Sequence, residues 1–163
     1  HPAFDAGQVE RIDVHVHQQC IGMCDIPEPT TGLEGKFSLA HNIALGLLGE
    51  ADGGLDLYED GRMADAGPKA LRSLVTVTGV PKGQGPFEAH LVVHQKDGVV
   101  IRESHNVEQP ERDLARQWSK LENKFRALAT PVIGAAKADE AIALCRDFDN
   151  ADSVAPLMAV VAG

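Results

Sequence analysis

The first regular pattern in the chain is an alternation of apolar and polar residues over positions 8–18. Ile12, Val14 and Val16 fall on one face of an extended segment, and polar or charged residues stand between them. Because successive side chains of a β-strand point to opposite faces, this alternation predicts a half-buried strand with one polar face.

Helical periodicity replaces the alternation in segment 36–49 (KFSLAHNIALGLLG). At about 100° per residue, one half of the predicted helix is apolar and carries Phe37, Leu39, Ala40, Ile43, Ala44, Leu47 and Leu48. The polar residues Ser38, His41 and Asn42 fall on the opposite side, so this helix is amphipathic. Thr31 and Glu34 have the spacing of a capping box just ahead of it, and Gly49 is its predicted stop.

The remaining patterns predict further strands and then further helices. Strands are expected over 74–78, 87–95 and 99–104, the last two joined as a hairpin by Lys96-Asp97-Gly98. Beyond Pro110 the apolar spacing is helical to the end of the chain. This order indicates an α+β, two-layer domain, in which a four-stranded, mainly antiparallel sheet has helices packed on one face. We expect residues 1–163 to form that single domain.

The charge balance and the cysteine content limit the classes of partner and compartment. The formal net charge of −9 argues against nucleic acid and against an anionic membrane, since both attract basic proteins. No apolar stretch approaches the ~18 residues of a membrane-spanning helix. Cys20, Cys24 and Cys145 leave an odd thiol in any disulfide scheme. That composition fits a reducing compartment, and we expect a soluble, cytoplasmic protein.

The first predicted strand contains the run Asp13-Val-His15-Val-His17, whose Asp13, His15 and His17 fall on the polar face. Two histidines at i and i+2 share a face and can ligate a metal, and the metal-dependent amidohydrolases begin with a similar motif. Those enzymes need a complete barrel, usually of about 250 residues, which this chain is too short to form. Cys20 and Cys24 lack the two-residue gap of redox motifs. We therefore predict exposed histidines and no metal site.

A second group of histidines falls on the predicted hairpin. If Asp97 and Gly98 form a two-residue turn, Lys96 pairs with Val99. That register places on one face His90, His94, Glu103 and His105. Clustered histidines can shuttle protons near neutral pH, although surface histidines are also common on acidic proteins. The sequence leaves both interpretations open.

Lys36 is the most unusual residue of the predicted helix, since its charge stands in the middle of the apolar arc. Burying an ammonium group is costly unless it is paired. The unpaired N–H groups at a helix N-terminus add positive potential, so Lys36 and the Thr30-Thr31-Gly32 loop together could hold a carboxylate or a phosphate. The alternative is a lysine whose stem covers apolar surface while its ammonium group reaches water.

The stretch 30–39 (TTGLEGKFSL) resembles a G-L-E-x-K-F-S segment of the MmgE/PrpD family, in which a helix rich in alanine and leucine follows. The similarity continues, with less distinctive motifs, as far as the segment 121–125 (LENKF) in the closing helices. The family includes 2-methylcitrate dehydratase, cis-aconitate decarboxylase and iminodisuccinate epimerase. This chain is similar to the smaller, C-terminal α+β domain of those enzymes.

The resemblance implies a two-domain enzyme, whose large N-terminal helical domain precedes this chain and shares the active site with it. It implies acid–base catalysis on small polycarboxylates by a homodimer, without a metal or an organic cofactor. Lys36 would be catalytic and would bind substrate together with Thr31, Gly32 and Ser38. Phe37 stands where some decarboxylase-type members have histidine, which favours dehydratase or epimerase chemistry. The chain alone would then be inactive, because half of the site lies elsewhere.

A second function stays open at this point. The polar face of the predicted sheet, with Asp13, His15 and His17, must meet water or another domain. The chain could therefore be a non-catalytic protein-interaction module that uses this face. Lys36 would then be an ordinary surface residue.

Overall fold

The computed structural model describes residues 5–50, 53–81 and 85–162. The chain divides into two compact units, which we call the sheet unit (residues 5–50 and 56–110) and the helical unit (residues 53–55 and 111–162). Within the described ranges, no helix is long and apolar enough to cross a membrane.

Four strands form the sheet of the described chain: β1 Val9–His17, β2 Val75–Val80, β3 Glu88–Gln95 and β4 Val100–Asn106. Their order across the sheet is β2-β1-β3-β4. β1 runs parallel to β2 and antiparallel to β3, and β3 pairs antiparallel with β4. The predicted α+β class, with a four-stranded and mainly antiparallel sheet, is confirmed.

Three α-helices belong to the described part of the sheet unit: α1 Gly32–Lys36, α2 Leu39–Leu47 and α3 Ala66–Arg72. Short 3₁₀ helices occur at Ala6–Gln8, Gln18–Cys20, Leu55–Tyr58 and Asp60–Ala64. The alternation of β1 turns its apolar residues toward α2 and α3. The resulting core contains Val9, Ile12, Val14, Val16, Ala44, Leu71 and Val93. Helices therefore cover one face of this sheet, as expected for a two-layer arrangement.

The predicted helix over 36–49 is wrong in its start, because the chain forms two helices with a break at Phe37 and Ser38. The Ser38 hydroxyl accepts a hydrogen bond from His41 N–H at 3.1 Å and donates one to the Ile26 carbonyl at 2.6 Å. Serine in this position is a strong N-cap, so a new helix starts after it. The break also turns Ser38 and His41 inward, and both are buried instead of lying on a polar side.

The predicted stop at Gly49 is confirmed. Gly49 has a φ of 80°, and glycine reaches this left-handed conformation without steric penalty. Its N–H donates to the Gly46 carbonyl at 3.1 Å, and the Glu50 N–H donates to the Leu45 carbonyl at 2.9 Å. This pair of bonds is the Schellman arrangement that satisfies the last carbonyls of a helix.

The hairpin register differs by one residue from the predicted one. His94 pairs with Val100, and the turn uses three residues, with Gly98 at a φ of 88°. A type I turn followed by a left-handed glycine is the usual three-residue hairpin, so the predicted two-residue turn was too short. Because a shift of one residue reverses the faces, Glu103 and His105 lie on the opposite face from His90 and His94. The predicted four-residue cluster does not form.

The helical unit contains α4 Leu114–Ile133, α5 Ala135–Arg146 and α6 Ala155–Val161, with a 3₁₀ turn at Phe148–Asn150. α5 packs against both α4 and α6. Pro131 lies inside α4 without ending it, since the helix continues to Ile133 and stops at Gly134, which has a φ of 82°.

Candidate functional site

The loop before α1 is held by the predicted capping box, which is confirmed. The Thr31 hydroxyl accepts from Glu34 N–H at 3.2 Å, and Glu34 Oε2 accepts from Thr31 N–H at 3.2 Å. The same carboxylate accepts from the Thr30 N–H at 2.7 Å and from the Thr30 hydroxyl at 2.8 Å. The hydrogen bonds from Thr30, and then the one from Thr31, lower the pKa of Glu34. An ionised Glu34 therefore fixes this loop.

Gly32 brings α1 into contact with the segment 58–60. Its N–H donates to Asp60 Oδ1 at 2.7 Å. A Cβ atom on Gly32 would lie 1.6 Å from the Tyr58 carbonyl oxygen, which is far inside the van der Waals distance. Only glycine fits here. The requirement for glycine at the first position of the G-L-E-x-K-F-S segment is therefore steric and does not depend on substrate.

Lys36 is the last residue of α1 and is exposed. The prediction that Lys36 lies near a helix N-terminus is wrong, because its helix begins at Gly32. The carbonyl end of a helix favours cations, so the position suits a lysine on other grounds. Its ammonium group lies 5.6 Å from the centroid of the Tyr58 ring. Within the described residues no carboxylate forms an ion pair with Lys36, which leaves its charge available.

Asn42 connects the elements around Lys36. The Tyr58 hydroxyl donates to Asn42 Oδ1 at 2.5 Å. The Asn42 amide in turn donates to the Gly35 carbonyl at 3.0 Å and to the Ser38 carbonyl at 2.8 Å. These bonds tie the end of α1 to the start of α2 and to the ring beneath the lysine. Hydrogen bonds therefore fix the backbone around Lys36 between α1 and α2.

His41 and Arg72 form a buried pair that the sequence did not indicate. His41 is 1% exposed and Arg72 is 6% exposed. Arg72 Nη1 lies 3.5 Å from His41 Nδ1 and donates to the Met63 carbonyl at 2.8 Å. Because a guanidinium has only donors, Nδ1 must be the acceptor and the imidazole proton belongs on Nε2. Nε2 is buried and has no hydrogen-bond partner among the described residues.

The surroundings of His41 favour its neutral form. Burial lowers the pKa of His41 most, and the nearby guanidinium of Arg72 and then that of Arg62 lower it further, against opposing effects of Asp65 and Glu50. The ring packs under α1, since a Cβ atom on Gly35 would lie 3.5 Å from it. The one sequence signal for this histidine was Ser38, whose role as an N-cap turns His41 inward.

The predicted substrate residues are thus neighbours in one corner, but they differ in availability. Lys36 is exposed, whereas the Ser38 hydroxyl is fully buried and already bonded to backbone groups. Thr31 and Gly32 hold the start of α1 through the bonds described above. Whether Thr31, Gly32 and Ser38 also touch a substrate stays a prediction.

The polar face of the sheet is built as the alternation predicted. Asp13 Oδ2 lies 3.0 Å from His94 Nε2 and 3.2 Å from Arg11 Nε. His15 stands opposite His90 across β1 and β3. Within the described residues no group of three His, Cys, Asp or Glu side chains has the geometry to hold a metal ion. Polar contacts within β1 and between β1 and β3 thus lie on this face.

The fold is that of a two-layer α+β domain, and its candidate site contains an exposed lysine at the end of α1. Comparison with known families agrees with this description: the MmgE/PrpD C-terminal domain matches residues 2–150. The chain belongs to that family, and the resemblance seen in the segment 30–39 is confirmed. No curated protein matches the sequence.

Proposed function

We propose that the chain is the substrate-covering C-terminal domain of a lyase or isomerase that acts on small polycarboxylates, in the manner of 2-methylcitrate dehydratase. The observation that carries the proposal is Lys36, an exposed cation held in place by Tyr58 and Asn42 within a chain of the MmgE/PrpD family. An oriented cation without an acidic partner suits a carboxylate ligand.

The chemistry would begin with removal of a proton from the carbon next to a carboxylate. Negative charge then develops on that carboxylate, and a positioned ammonium group stabilises it. Loss of a neighbouring hydroxyl as water would complete a dehydration, and return of the proton to the other face would complete an epimerisation. We assign Lys36 to the stabilising role. Phe37, which follows it, still favours these two reactions over decarboxylation.

The remaining parts of the proposal follow from family membership. An N-terminal helical domain would supply the acid and base, so the present chain would be inactive alone. The complete enzyme would be a cytoplasmic homodimer that needs no metal and no organic cofactor. Turnover of a dicarboxylate or tricarboxylate by the 163-residue chain by itself would overturn the claim of inactivity.

The decisive experiment is Lys36→Ala in the complete enzyme. We expect kcat/KM to fall roughly 100-fold or more, as when one stabilising donor is removed from an active site. Lys124→Ala, at an exposed lysine of the helical unit, is the matched control and should behave as the wild type. A kcat/KM unchanged by Lys36→Ala would refute this role for the lysine.

The alternative is an interaction module that uses the polar face of the sheet. The observation in its favour is that Arg102 is exposed on that face. It pairs with Val92 of β3, which in turn pairs with Asp13 of β1. Charge reversal by Arg102→Glu should then abolish partner binding, while Lys36→Ala should change neither binding nor activity. The two proposals therefore predict opposite outcomes for Lys36.

A further inference from the structure

Arg72, the last residue of α3, is a buried cation with little to neutralise it. Its side chain is only 6% exposed, and within the described residues no carboxylate forms an ion pair with it. Burying a charge without a counter-ion is costly, so native proteins pair such groups or use them to bind ligands. The contacts of this guanidinium decide which of these applies.

Only one edge of the guanidinium is used by the protein. Nη1 donates to the Met63 carbonyl at 2.8 Å and faces His41 Nδ1 at 3.5 Å. Nε and Nη2 have no hydrogen-bond partner among the described residues. His41 Nε2 is the side-chain atom of the described residues that is both completely buried and without a partner, so Nε and Nη2 of Arg72 are not completely buried. They must therefore reach open space. The Nε–Nη2 edge is one of the two edges through which arginine binds a carboxylate by two parallel hydrogen bonds.

Arg72 also lines a cavity of about 250 Å³ against α3. Its lining includes Arg72, Lys69, Thr30, Asp60, Glu28 and Met63. Lys69 is exposed and adds a second positive charge to the lining. Asp60 already accepts the Gly32 N–H, and Glu28 is exposed and forms no ion pair with Arg72. The volume is that of a small ligand and not of a large cofactor.

We propose that this cavity binds the carboxylate group of a small organic acid, with Arg72 as its anchor and Lys69 as a supporting cation. The identity of the acid as a polycarboxylate rests on the proposed function, while the cavity and its free guanidinium edge do not. Phosphate shares the two-oxygen geometry. A carboxylate group suits the site better, because Asp60 and Glu28 also line the cavity. They repel a phosphate dianion, which concentrates two charges on one group, more than the single charge of a carboxylate group whose partner carboxylate lies farther along the molecule.

Isothermal titration of the 163-residue chain with succinate, and separately with inorganic phosphate, tests the proposal. We expect saturable binding of one succinate and weaker binding of phosphate. Arg72→Gln should weaken succinate binding about tenfold or more, as expected for the loss of a charge-assisted pair. Lys69→Met should weaken it by a smaller factor, and the control Lys124→Met should not change it.

Several results would overturn the assignment. These are absence of saturable succinate binding by the folded wild-type chain, tighter binding of phosphate than of succinate, or full affinity in Lys69→Met and Arg72→Gln. If circular dichroism shows that Arg72→Gln fails to fold, Lys69→Met alone decides, because no described contact depends on its ammonium group.

A Lys36→Met variant separates this proposal from the preceding one. Retained succinate binding in Lys36→Met, together with weakened binding in Lys69→Met, supports a site at Arg72 whatever the enzyme kinetics show. Loss in Lys36→Met alone would place the carboxylate at Lys36 and refute the assignment to Arg72.

Discussion

The ammonium group of Lys36 lies 5.6 Å from the centroid of the Tyr58 ring. A lysine over an aromatic face gains about 0.5–1 kcal/mol when the pair is exposed. The same tyrosine donates its hydroxyl hydrogen to Asn42 Oδ1, and burial raises the pKa of Tyr58, which keeps that hydroxyl protonated. Tyr58 therefore holds both the ammonium group and, through Asn42, the backbone that carries it.

We predict that Tyr58→Phe and Tyr58→Leu separate these two roles. Phenylalanine keeps the ring beneath Lys36 and loses only the bond to Asn42, so the free energy of unfolding should fall by about 1 kcal/mol. Leucine also loses the ring, and kcat/KM of the complete enzyme should fall below the Tyr58→Phe value because Lys36 is less well oriented. Urea unfolding and steady-state kinetics measure the two effects. Equal kcat/KM in both variants would contradict a positioning role for the ring.

His41 and Arg72 make the stability of the fold depend on pH. Burial, and then the charge of Arg72, lower the pKa of His41 in the folded chain. Between the ordinary histidine value of about 6.5 and this lowered value, the unfolded state takes up a proton that the folded state does not. The free energy of unfolding is therefore highest above this window and falls as the pH drops through it.

We predict that His41→Leu removes this contribution. Below a pH of about 6.5, the wild-type free energy of unfolding should decline more steeply than that of His41→Leu, by up to about 1.4 kcal/mol per pH unit. Urea unfolding at a series of pH values from about 7.5 to about 5 measures the two slopes. His105→Leu, at an exposed position of β4, controls for the substitution itself. Identical slopes in the wild type and in His41→Leu would rule out a buried neutral histidine.

Features that depend on near neighbours in the sequence were predictable. The alternation of β1 and the capping box of Thr31 and Glu34 are of this kind, and both are present. The break at Ser38 was not predictable, since the apolar period runs straight through it. Ser38 caps α2 while its hydroxyl also bonds the Ile26 carbonyl, twelve positions earlier in the chain. A contact with a distant loop thus overrides the helical pattern.

The site shows the same division. The motif around Lys36 predicts its place in the candidate site, although its predicted position near a helix N-terminus is wrong. The pairing of His41 with Arg72 spans 31 positions, and only the packing of α3 against α2 brings the two residues together. Neither residue is unusual in its own stretch of sequence. Such a pair can be recognised only once the fold is known.

The close approach of Gly32 to Tyr58 gives a direct test of this packing. We predict that Gly32→Ala destabilises the chain by about 1–3 kcal/mol or more, the range for inserting atoms into a filled site. Its Cβ would lie 1.6 Å from the backbone oxygen of Tyr58, so α1 or the segment beneath it must move. Because α1 carries Lys36, kcat/KM of the complete enzyme should fall as well.

Gly46 offers the matched control for that substitution. It lies inside α2, and a Cβ atom there would meet no heavy atom within 4 Å. Gly46→Ala should therefore stabilise the chain by about 0.5–1 kcal/mol, because alanine restricts the unfolded state and favours a helix. Urea unfolding of the two variants should give changes of opposite sign. Equal stability of Gly32→Ala and the wild type would show that α1 is not held against Tyr58, and the account of how Lys36 is positioned would fail with it.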